Sequence, residues 1–248
     1  MIELIVVIAV TALLLSMLVP SLVSVRASGR SVACLSNLRQ MSIAAQRYAL
    51  EYQYFPPALR YEDDGVFRIV AWDWVTTFDD QVISPGSLWA FTDDPGRVQQ
   101  CPEYFGGTNT ADPYTGYNYN TTYVGGESLP VVPGWGVFRR GVRYSACRRT
   151  VRVALFGDGG WVSGTNKYMR APVNTLEGDL ALGTIYAGGQ AFRHRKATNV
   201  AYLDFHVDTV VTPYKGLLAT DALLETKMDY PRNGFLSNDD TAYDPNPD

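Results

Sequence analysis

The sequence predicts an α+β protein in which a long N-terminal α-helical spine packs against an antiparallel β-sheet head with long loops. The first 50 residues hold an uncharged apolar run, followed by apolar residues at helical spacing. The rest of the chain alternates short strand-like stretches with turn signals. The hydrophobic fraction, 46% of 248 residues, is enough for a packed core and excludes a disordered chain.

Charge divides the chain into two unlike parts. Residues 1–50 hold one acid and four arginines, a balance of +3, whereas the other 198 residues hold 24 acids and 17 bases, a balance of −7. Together they give the net charge of −4. Because phosphate binding needs a basic surface, this balance argues against nucleic acid as the main partner.

The N-terminal run has the length of a transmembrane helix. No charged residue occurs from Leu4 to Val25, and about 20 apolar residues cross a bilayer as a helix. A secretory signal peptide would begin with basic residues, whereas the first basic residue here is Arg26, beyond the run. By the positive-inside rule, the end that carries the arginines stays on the cytoplasmic side.

The helix is expected to continue to about Tyr52. One helix face is marked by apolar spacing at Cys34, Leu38, Met41, Ala45 and Tyr48. The following Tyr54-Phe55-Pro56-Pro57 ends the helix. Pro20 lacks a backbone donor and predicts a kink or local unwinding.

The predicted organisation is therefore a helix followed by a head. The helix covers residues 1–54, with an apolar membrane or filament-core half (1–25) and an amphipathic half (26–54). The β-rich globular head covers residues 55–248 and ends in an acidic, irregular tail.

Short strands and turns predict the sheet of the head. The candidate strands are 67–72, 117–123, 151–156, 198–203 and 206–211. The turn signals are Ser84-Pro85-Gly86, Asp94-Pro95-Gly96, Pro133-Gly134 and Asp158-Gly159-Gly160. Residues 217–228 are predicted as a short helix, and the sheet is expected to pack on the amphipathic half of the long helix.

Glu3 is an acid inside the apolar run. A carboxylate there is costly and usually has a partner. The partner could be the amine of Met1 in the same chain, or the amine of a neighbouring parallel helix, which would set the register of an assembly. Alternatively, Glu3 lies at the headgroup level and is solvated.

The segment Ile2-Glu3-Leu4-Ile5-Val6-Val7-Ile8-Ala9-Val10, followed by Pro20, resembles the mature N-terminus of the type IV pilin superfamily, which includes type II secretion pseudopilins. In that superfamily the glutamate usually lies two positions deeper. The resemblance implies a helix held in the inner membrane before assembly and a Glu3 that pairs with a neighbour's terminal amine. It also implies that helicity around Pro20 is lost in the filament, so the implied assembly residues are Met1, Glu3 and Pro20.

A second motif lies near the C-terminus. His194 is followed by nine residues and then Asp204, which resembles the His-x9-Asp-Gly signature of a bacterial prepilin-like family, with Phe205 in place of the glycine. Further matching pieces are Cys34, Asn37-Leu38-Arg39-Gln40, Phe55-Pro56-Pro57, Cys101-Pro102 and Tyr117-Asn118-Tyr119-Asn120.

The same region holds weak candidates for a metal site. On a strand, Asp204, His206 and Asp208 would share one face and could bind a divalent cation such as calcium, together with His194. The alternative is a solvated strand face, with His194 and Asp204 hydrogen-bonded across a hairpin. We favour this alternative and expect no cofactor.

Three cysteines leave one unpaired in any disulfide. Outside the cytoplasm, a bond between Cys101 and Cys147 would join two loops of the head, and one between Cys34 and Cys101 would join the head to the helix. Three buried free thiols are the third alternative.

Enzyme motifs are missing from the sequence. It contains no Gly-x-Ser-x-Gly, no His-Glu-x-x-His and no phosphate-binding Gly-x-x-x-x-Gly-Lys, so we expect no enzyme and no catalytic residue. The basic cluster of Arg139, Arg140, Arg143, Arg148 and Arg149 is either solvated or meets the acidic tail of a neighbouring subunit.

These features favour a structural subunit of an extracellular type IV pilus-like filament on the cell surface. Identical subunits would form a helical homopolymer, after the helix has been held in the inner membrane and handled by pilus or type II secretion assembly machinery. The alternatives are a minor pseudopilin of a type II secretion system and a membrane-anchored module that binds a carbohydrate or a metal.

Overall fold

A computed structural model describes residues 2–63, 65–77, 79, 81–92, 100–105, 116–126, 141–173 and 182–246. Helix α1 runs without interruption over Ile2–Tyr52 and ends where the Tyr54–Pro57 segment was predicted to end it. The helix packs on antiparallel sheets, so the predicted α+β fold is confirmed.

The second half of α1 is the part that packs on the head. Its buried residues recur every three or four positions and are Cys34, Asn37, Leu38, Met41, Ser42, Ala44, Ala45 and Ala49. This confirms the predicted helix face, except that Tyr48 is only half-buried at its edge. The small residues along the face let the helix approach the sheet closely.

The first sheet is an antiparallel meander in chain order. Its strands are β1 Leu59–Asp63, β2 Phe67–Ala71, β3 Trp74–Thr77 and β4 Val82–Pro85. The predicted strand at 67–72 is confirmed by β2. The turn predicted at Ser84-Pro85-Gly86 is wrong, because Ser84 and Pro85 pair with β3 at the end of β4, and Gly86 follows the strand and donates its amide to the Asp73 carbonyl.

The second sheet carries α1. Its strands are β5 Tyr117–Asn120, β6 Ala154–Gly160, β7 Tyr168–Met169, β8 Gly189–Ala191, β9 Thr198–Tyr202, β10 Val207–Val210 and β11 Asn233–Gly234. The main path is β10-β9-β6-β5-β7, and β8 joins β6 to β11. Every pair is antiparallel except β5 with β7, and α1 packs on β9, β6 and β10.

Short helical turns connect these strands. The α-helical ones are α2 Leu182–Ala187 and α3 Asp221–Leu223. The 3₁₀ turns are Trp89–Phe91, Tyr144–Ala146 and Asp240–Ala242, and the π turns are Thr121–Gly125 and Leu224–Met228. The helix predicted over 217–228 therefore begins at Asp221, where Thr220 caps it by accepting from the Leu223 amide.

The main core lies between α1 and the second sheet. Aromatic side chains fill it beneath the helix, and Tyr119 stacks on Phe156 with ring centroids 4.8 Å apart. A second core lies on the far side of the sheet and contains Tyr186, Phe235 and Tyr243. Because Tyr243 is fully buried, the predicted irregular tail is anchored to the head rather than free.

Two strand predictions need correction. The strand predicted at 151–156 begins only at Ala154, and the one predicted at 117–123 ends at Asn120. Asn120 stops the strand because its side chain accepts from the Tyr123 amide and starts the π turn. The predicted strand over 206–211 is confirmed as Val207–Val210, and the turns predicted at 94–96 and 133–134 lie outside the described residues.

The predicted turn at Asp158-Gly159-Gly160 is wrong, because these residues end strand β6. Their glycines serve close packing rather than chain reversal. A Cβ on Gly160 would lie 2.7 Å from the Ala191 Cβ on the neighbouring strand, a distance that side chains do not tolerate. Asp158 is thereby held on a fully buried strand.

Candidate functional site

The apolar half of the long helix, residues 2–25, is exposed along its whole length. Every residue from Ile2 to Arg26 is exposed, and the large aliphatic side chains retain about half of their accessible surface or more. Within the described residues, α1 is the one helix long and apolar enough to cross a membrane. A surface of this kind must be covered by lipid or by other apolar chains.

Pro20 lies in the middle of the apolar half. Its ring removes the amide that would bond to the Ser16 carbonyl one turn earlier. The helix is nevertheless continuous through this position, so the predicted local unwinding is not present in the single chain. The Ser16 hydroxyl donates to the Leu13 carbonyl 2.7 Å away and keeps the polar groups of this turn inside the helix.

Glu3 lies in the first turn of α1 and is exposed. A carboxylate at this end of a helix is favoured by the unpaired amides and by the helix dipole. Met1, the predicted source of the pairing amine, lies outside the described residues. The position of Glu3 fits both pairing with a neighbouring chain and solvation.

A cluster of four polar side chains lies deep in the head, behind the helix. We call it the buried cluster, and its members are Cys34, Cys101, Asp158 and His194. Three of the four are fully buried, and His194 is 4% exposed. Their ligand-type atoms all lie within 4.8 Å of one another.

Short contacts connect the four side chains of the buried cluster in a ring. Cys34 Sγ lies 3.9 Å from Cys101 Sγ, and Cys101 Sγ lies 3.5 Å from His194 Nε2. His194 Nε2 lies 3.2 Å from Asp158 Oδ2, and Asp158 Oδ1 accepts from Cys34 Sγ at 3.2 Å.

Distant parts of the chain bring these four residues together. Cys34 comes from α1, Asp158 from β6, and Cys101 from the segment before β5. His194 opens a two-residue turn in which Arg195 and Lys196 both have positive φ, and His194 and Ala197 exchange backbone hydrogen bonds across it. Positive φ at both central residues is the backbone conformation of two-residue turns in tight β-hairpins.

Hydrogen bonds to the surrounding elements fix the buried cluster. The Asn199 amide donates to Asp158 Oδ2 at 2.8 Å. Arg193 donates to the carbonyls of Gly116 and Gly159 and lies over the Tyr104 ring, 4.9 Å from its centroid.

The cluster shifts the ionisation of its own members. The hydrogen bond between the Cys101 and Cys34 sulfurs is the largest cause that lowers the pKa of Cys101 to about 6, against burial, with His194 and the Arg193 charge acting in the same direction. Burial lowers the pKa of His194, but its contacts with Asp158 and Cys101 outweigh burial and raise it to about 9. Burial raises the pKa of Cys34 far above its ordinary value.

The predicted metal candidates do not come together. His194 lies in the buried cluster, whereas Asp204 and Asp208 are exposed and His206 is half-buried. The predicted hydrogen bond between His194 and Asp204 is not formed, because Asp204 instead accepts from the His206 ring in the turn between β9 and β10. Since only Asp208 belongs to a strand, the predicted common strand face does not exist.

Phe205 occupies the position where the His-x9-Asp-Gly signature has glycine. Its φ is 69°, in the left-handed region that glycine favours. Its amide donates to the Tyr202 carbonyl, and its ring packs against the main core. The tight turn is thus kept without the glycine, because ring packing holds the backbone there.

The three cysteines are free thiols. The structure brings Cys34 and Cys101 together, as one predicted disulfide required, but their sulfurs are 3.9 Å apart. Cys147 lies at the end of a 3₁₀ turn, half-buried, with its sulfur 3.7 Å from the Arg143 carbonyl.

The basic cluster meets the tail of its own chain. The amides of Arg148 and Arg149 donate to the Pro245 carbonyl, and the Arg148 amide also donates to the Asn246 side chain. The Arg143 guanidinium donates to the Tyr54 hydroxyl. Arg139 and Arg140 lie outside the described residues.

Comparison of the chain with protein-family models, with curated proteins and with solved structures finds no match. Its function is therefore inferred from the apolar half of α1 and from the buried cluster themselves.

Sequence patterns indicated Cys34, Cys101 and His194, and one disulfide alternative paired Cys34 with Cys101. They did not place His194 beside these cysteines, and they missed Asp158. The motif Asp-Gly-Gly is typical of a turn. The contrary signal is the preceding Val153-Ala154-Leu155-Phe156, because an acid that directly continues a fully apolar strand is set to be buried with a partner.

Proposed function

We propose that this chain is a structural subunit of an extracellular pilus-like filament, held together by packing of the apolar half of α1 among identical helices. The proposal is carried by one observation. A single continuous helix is buried in its own head over one half and is fully exposed and apolar over the other. The exposed half is therefore the part that is available to other molecules.

The cost of exposure supports an assembly role. Burial of one large aliphatic side chain contributes about 1.5–3 kcal/mol, so the apolar half gains tens of kcal/mol when it is covered. Both lipid and sister helices could cover it. We propose that the helix uses each in turn, the inner membrane before assembly and identical subunits in the filament.

Glu3 favours sister helices as the final cover. Membrane anchoring alone does not require an acid in the first turn of the helix, and a carboxylate that enters lipid unpaired is costly. In a bundle of parallel helices, the carboxylate can pair with the terminal amine of a neighbour that is shifted along the axis. The pair would then fix the register between subunits.

The geometry of α1 also suits a filament. At about 1.5 Å per residue, its 51 residues extend over roughly 75 Å, so the head can lie outside a core of packed helices. No catalytic role is proposed for the buried cluster, because a thiolate needs access to substrate and Cys101 is fully buried.

The test is to replace Glu3 in cells that assemble the protein. Glu3→Ala should leave the head folded and the chain in the membrane fraction, but should abolish filaments seen by electron microscopy of sheared cell-surface material. Thr11→Ala is the matched control, because Thr11 is also exposed in the apolar half and its hydroxyl bonds only to Val7 and Ile8 carbonyls of the same helix.

The outcomes separate the alternatives. Normal filament yield from Glu3→Ala contradicts the register role. Filaments of the unaltered chain that form only on overexpression indicate a minor pseudopilin of a secretion system. A chain that forms no filament and is released as a monomer by detergent indicates a membrane-anchored module, and refutes the proposal.

A further inference from the structure

The buried cluster has the dimensions of a four-coordinate metal site. With metal–sulfur bonds of about 2.3 Å and bonds to nitrogen or oxygen of about 2.0–2.2 Å, the edges of a tetrahedral zinc site measure roughly 3.3–3.8 Å. Cys34 Sγ lies 3.9 Å from Cys101 Sγ and 3.2 Å from Asp158 Oδ1, and Cys101 Sγ lies 3.5 Å from His194 Nε2. These three distances lie close to the tetrahedral edges, and His194 Nε2 lies 3.2 Å from the other carboxylate oxygen, Asp158 Oδ2.

We propose that Cys34, Cys101, His194 and Asp158 bind one zinc ion, with two sulfurs, His194 Nε2 and one carboxylate oxygen as ligands. The thiols and the imidazole give up their protons when the ion binds. Asp158 keeps one oxygen for the Asn199 amide, which holds the carboxylate in place. Such a hydrogen bond is the usual support of a ligating carboxylate.

The donor set favours zinc over calcium, the cation considered from the sequence. Calcium takes six to eight oxygen ligands, whereas this site offers two sulfurs, one imidazole nitrogen and one carboxylate. Thiolates with imidazole in tetrahedral geometry are typical of zinc.

A disulfide between the two cysteines is the rival state. It needs sulfurs about 2.05 Å apart, and here they are separated by 3.9 Å. A disulfide would also leave the Asp158 carboxylate and the His194 imidazole buried beside the two sulfurs without a cation to bind. The zinc ion uses all four side chains.

Charge is balanced in the zinc-bound state. Two thiolates and one carboxylate around a divalent cation leave one net negative charge. The Arg193 guanidinium beside Cys101 supplies the compensating positive charge and is fixed by the Gly116 and Gly159 carbonyls. A buried site needs this neutrality, because an uncompensated charge away from water is costly.

The ion would fasten the helix to the head. Cys34 is the ligand from α1, and the other three come from separate parts of the head. Zinc would therefore stabilise the contact between α1 and the head at Cys34, close to where the exposed half of the helix ends. This effect does not depend on whether the chain forms filaments.

The test uses the full-length chain in detergent, purified under reducing conditions. The metal content is measured by mass spectrometry after dialysis against a weak chelator, and Co²⁺ is added to the metal-free chain as a spectroscopic probe. We expect about one zinc ion per chain, and with Co²⁺ the visible bands of tetrahedral cobalt together with a thiolate charge-transfer band.

The chain offers matched variants for each ligand type. Cys34→Ser and His194→Gln should lower the bound zinc by about tenfold or more, since removal of a ligand or its support costs at least that much affinity. Cys147→Ser and His206→Gln, which replace the same residue types outside the cluster, should keep the full content. Circular dichroism checks that each variant is folded.

Three results would overturn the proposal. One is a folded, reduced wild-type chain that binds neither zinc nor cobalt, a measurement that needs no variant. The second is a bond between Cys34 and Cys101 in protein isolated from cells with thiols blocked during lysis. The third is loss of the metal in Cys147→Ser or His206→Gln.

Discussion

The three cysteine thiols of this chain lie in different surroundings, and Cys147 is the one outside the buried cluster. Burial raises the pKa of Cys147 from its ordinary value of 9.0 to about 11. The side chain is half-buried, with the Arg143 carbonyl beside its sulfur. Its reactivity therefore reports the packing of the 3₁₀ turn on the head.

We predict that Cys147 is alkylated slowly in the folded chain. Because only the thiolate reacts, a pKa raised by two units lowers the reactive fraction below pH 9 by about 100-fold relative to the unfolded chain. Iodoacetamide labelling, followed by peptide mass spectrometry, gives the rate in native detergent solution and in urea. The native rate should rise by about ninefold between pH 9 and 10, whereas a rise of only about twofold, as the ordinary pKa of 9.0 gives, would contradict the raised pKa.

Single residues also show where sequence patterns fail. Phe205 adopts a positive φ, which glycine favours, because packing of its ring against the core compensates for the strain. Asp158 reads as a turn residue but is buried, because its partners come from α1 and from the β8–β9 turn. A local sequence pattern cannot reveal these partners, because Cys34 and His194 lie 124 and 36 positions away from Asp158 along the chain.

Among the elements, α1 was predictable almost completely, whereas the strands were predictable only in part. The bounds of α1 follow from its own periodicity and from the Pro56-Pro57 stop. Strand ends depend on neighbours: β6 extends through two glycines because other strands approach there, and β7 pairs in parallel with β5 through only two residues. The residues of a strand do not by themselves specify which neighbouring strand it pairs with.

The contact of α1 with the head can be tested by one substitution made at two places. Leu38→Ala should destabilise the chain by about 2–5 kcal/mol, because Leu38 is fully buried and its loss leaves a cavity. Leu50→Ala in the same helix should change the free energy of unfolding by about 0.5 kcal/mol or less, because Leu50 is 66% exposed.

Urea unfolding of both variants in the same detergent, followed by tryptophan fluorescence, measures the difference. Trp72 and Trp89 belong to the core on which α1 packs, so their emission reports this interface. Equal destabilisation by the two substitutions would mean that the buried face of α1 is not the one described.

The whole molecule combines two parts with opposite solvent requirements. The head packs apolar side chains into two cores and carries the negative charge of the chain, which suits water. The apolar half of α1 buries none of its residues in the head, so lipid or apolar protein surface must shield it from water. The two meet on one rigid helix just before Cys34, so that whatever covers the apolar half also determines where the head is placed.

This division predicts the behaviour of the chain when detergent is removed. The full chain should then sediment as large particles, because its exposed aliphatic side chains associate. Deletion of residues 2–25 should give a monomer in water, with an unfolding temperature within a few degrees of that of the full chain in detergent, because none of the described residues before Cys34 is buried. Analytical ultracentrifugation measures the first effect and circular dichroism the second.

A full chain that remains monomeric without detergent would remove the physical reason for assembly. A shortened chain that unfolds would show that the head depends on the apolar half after all.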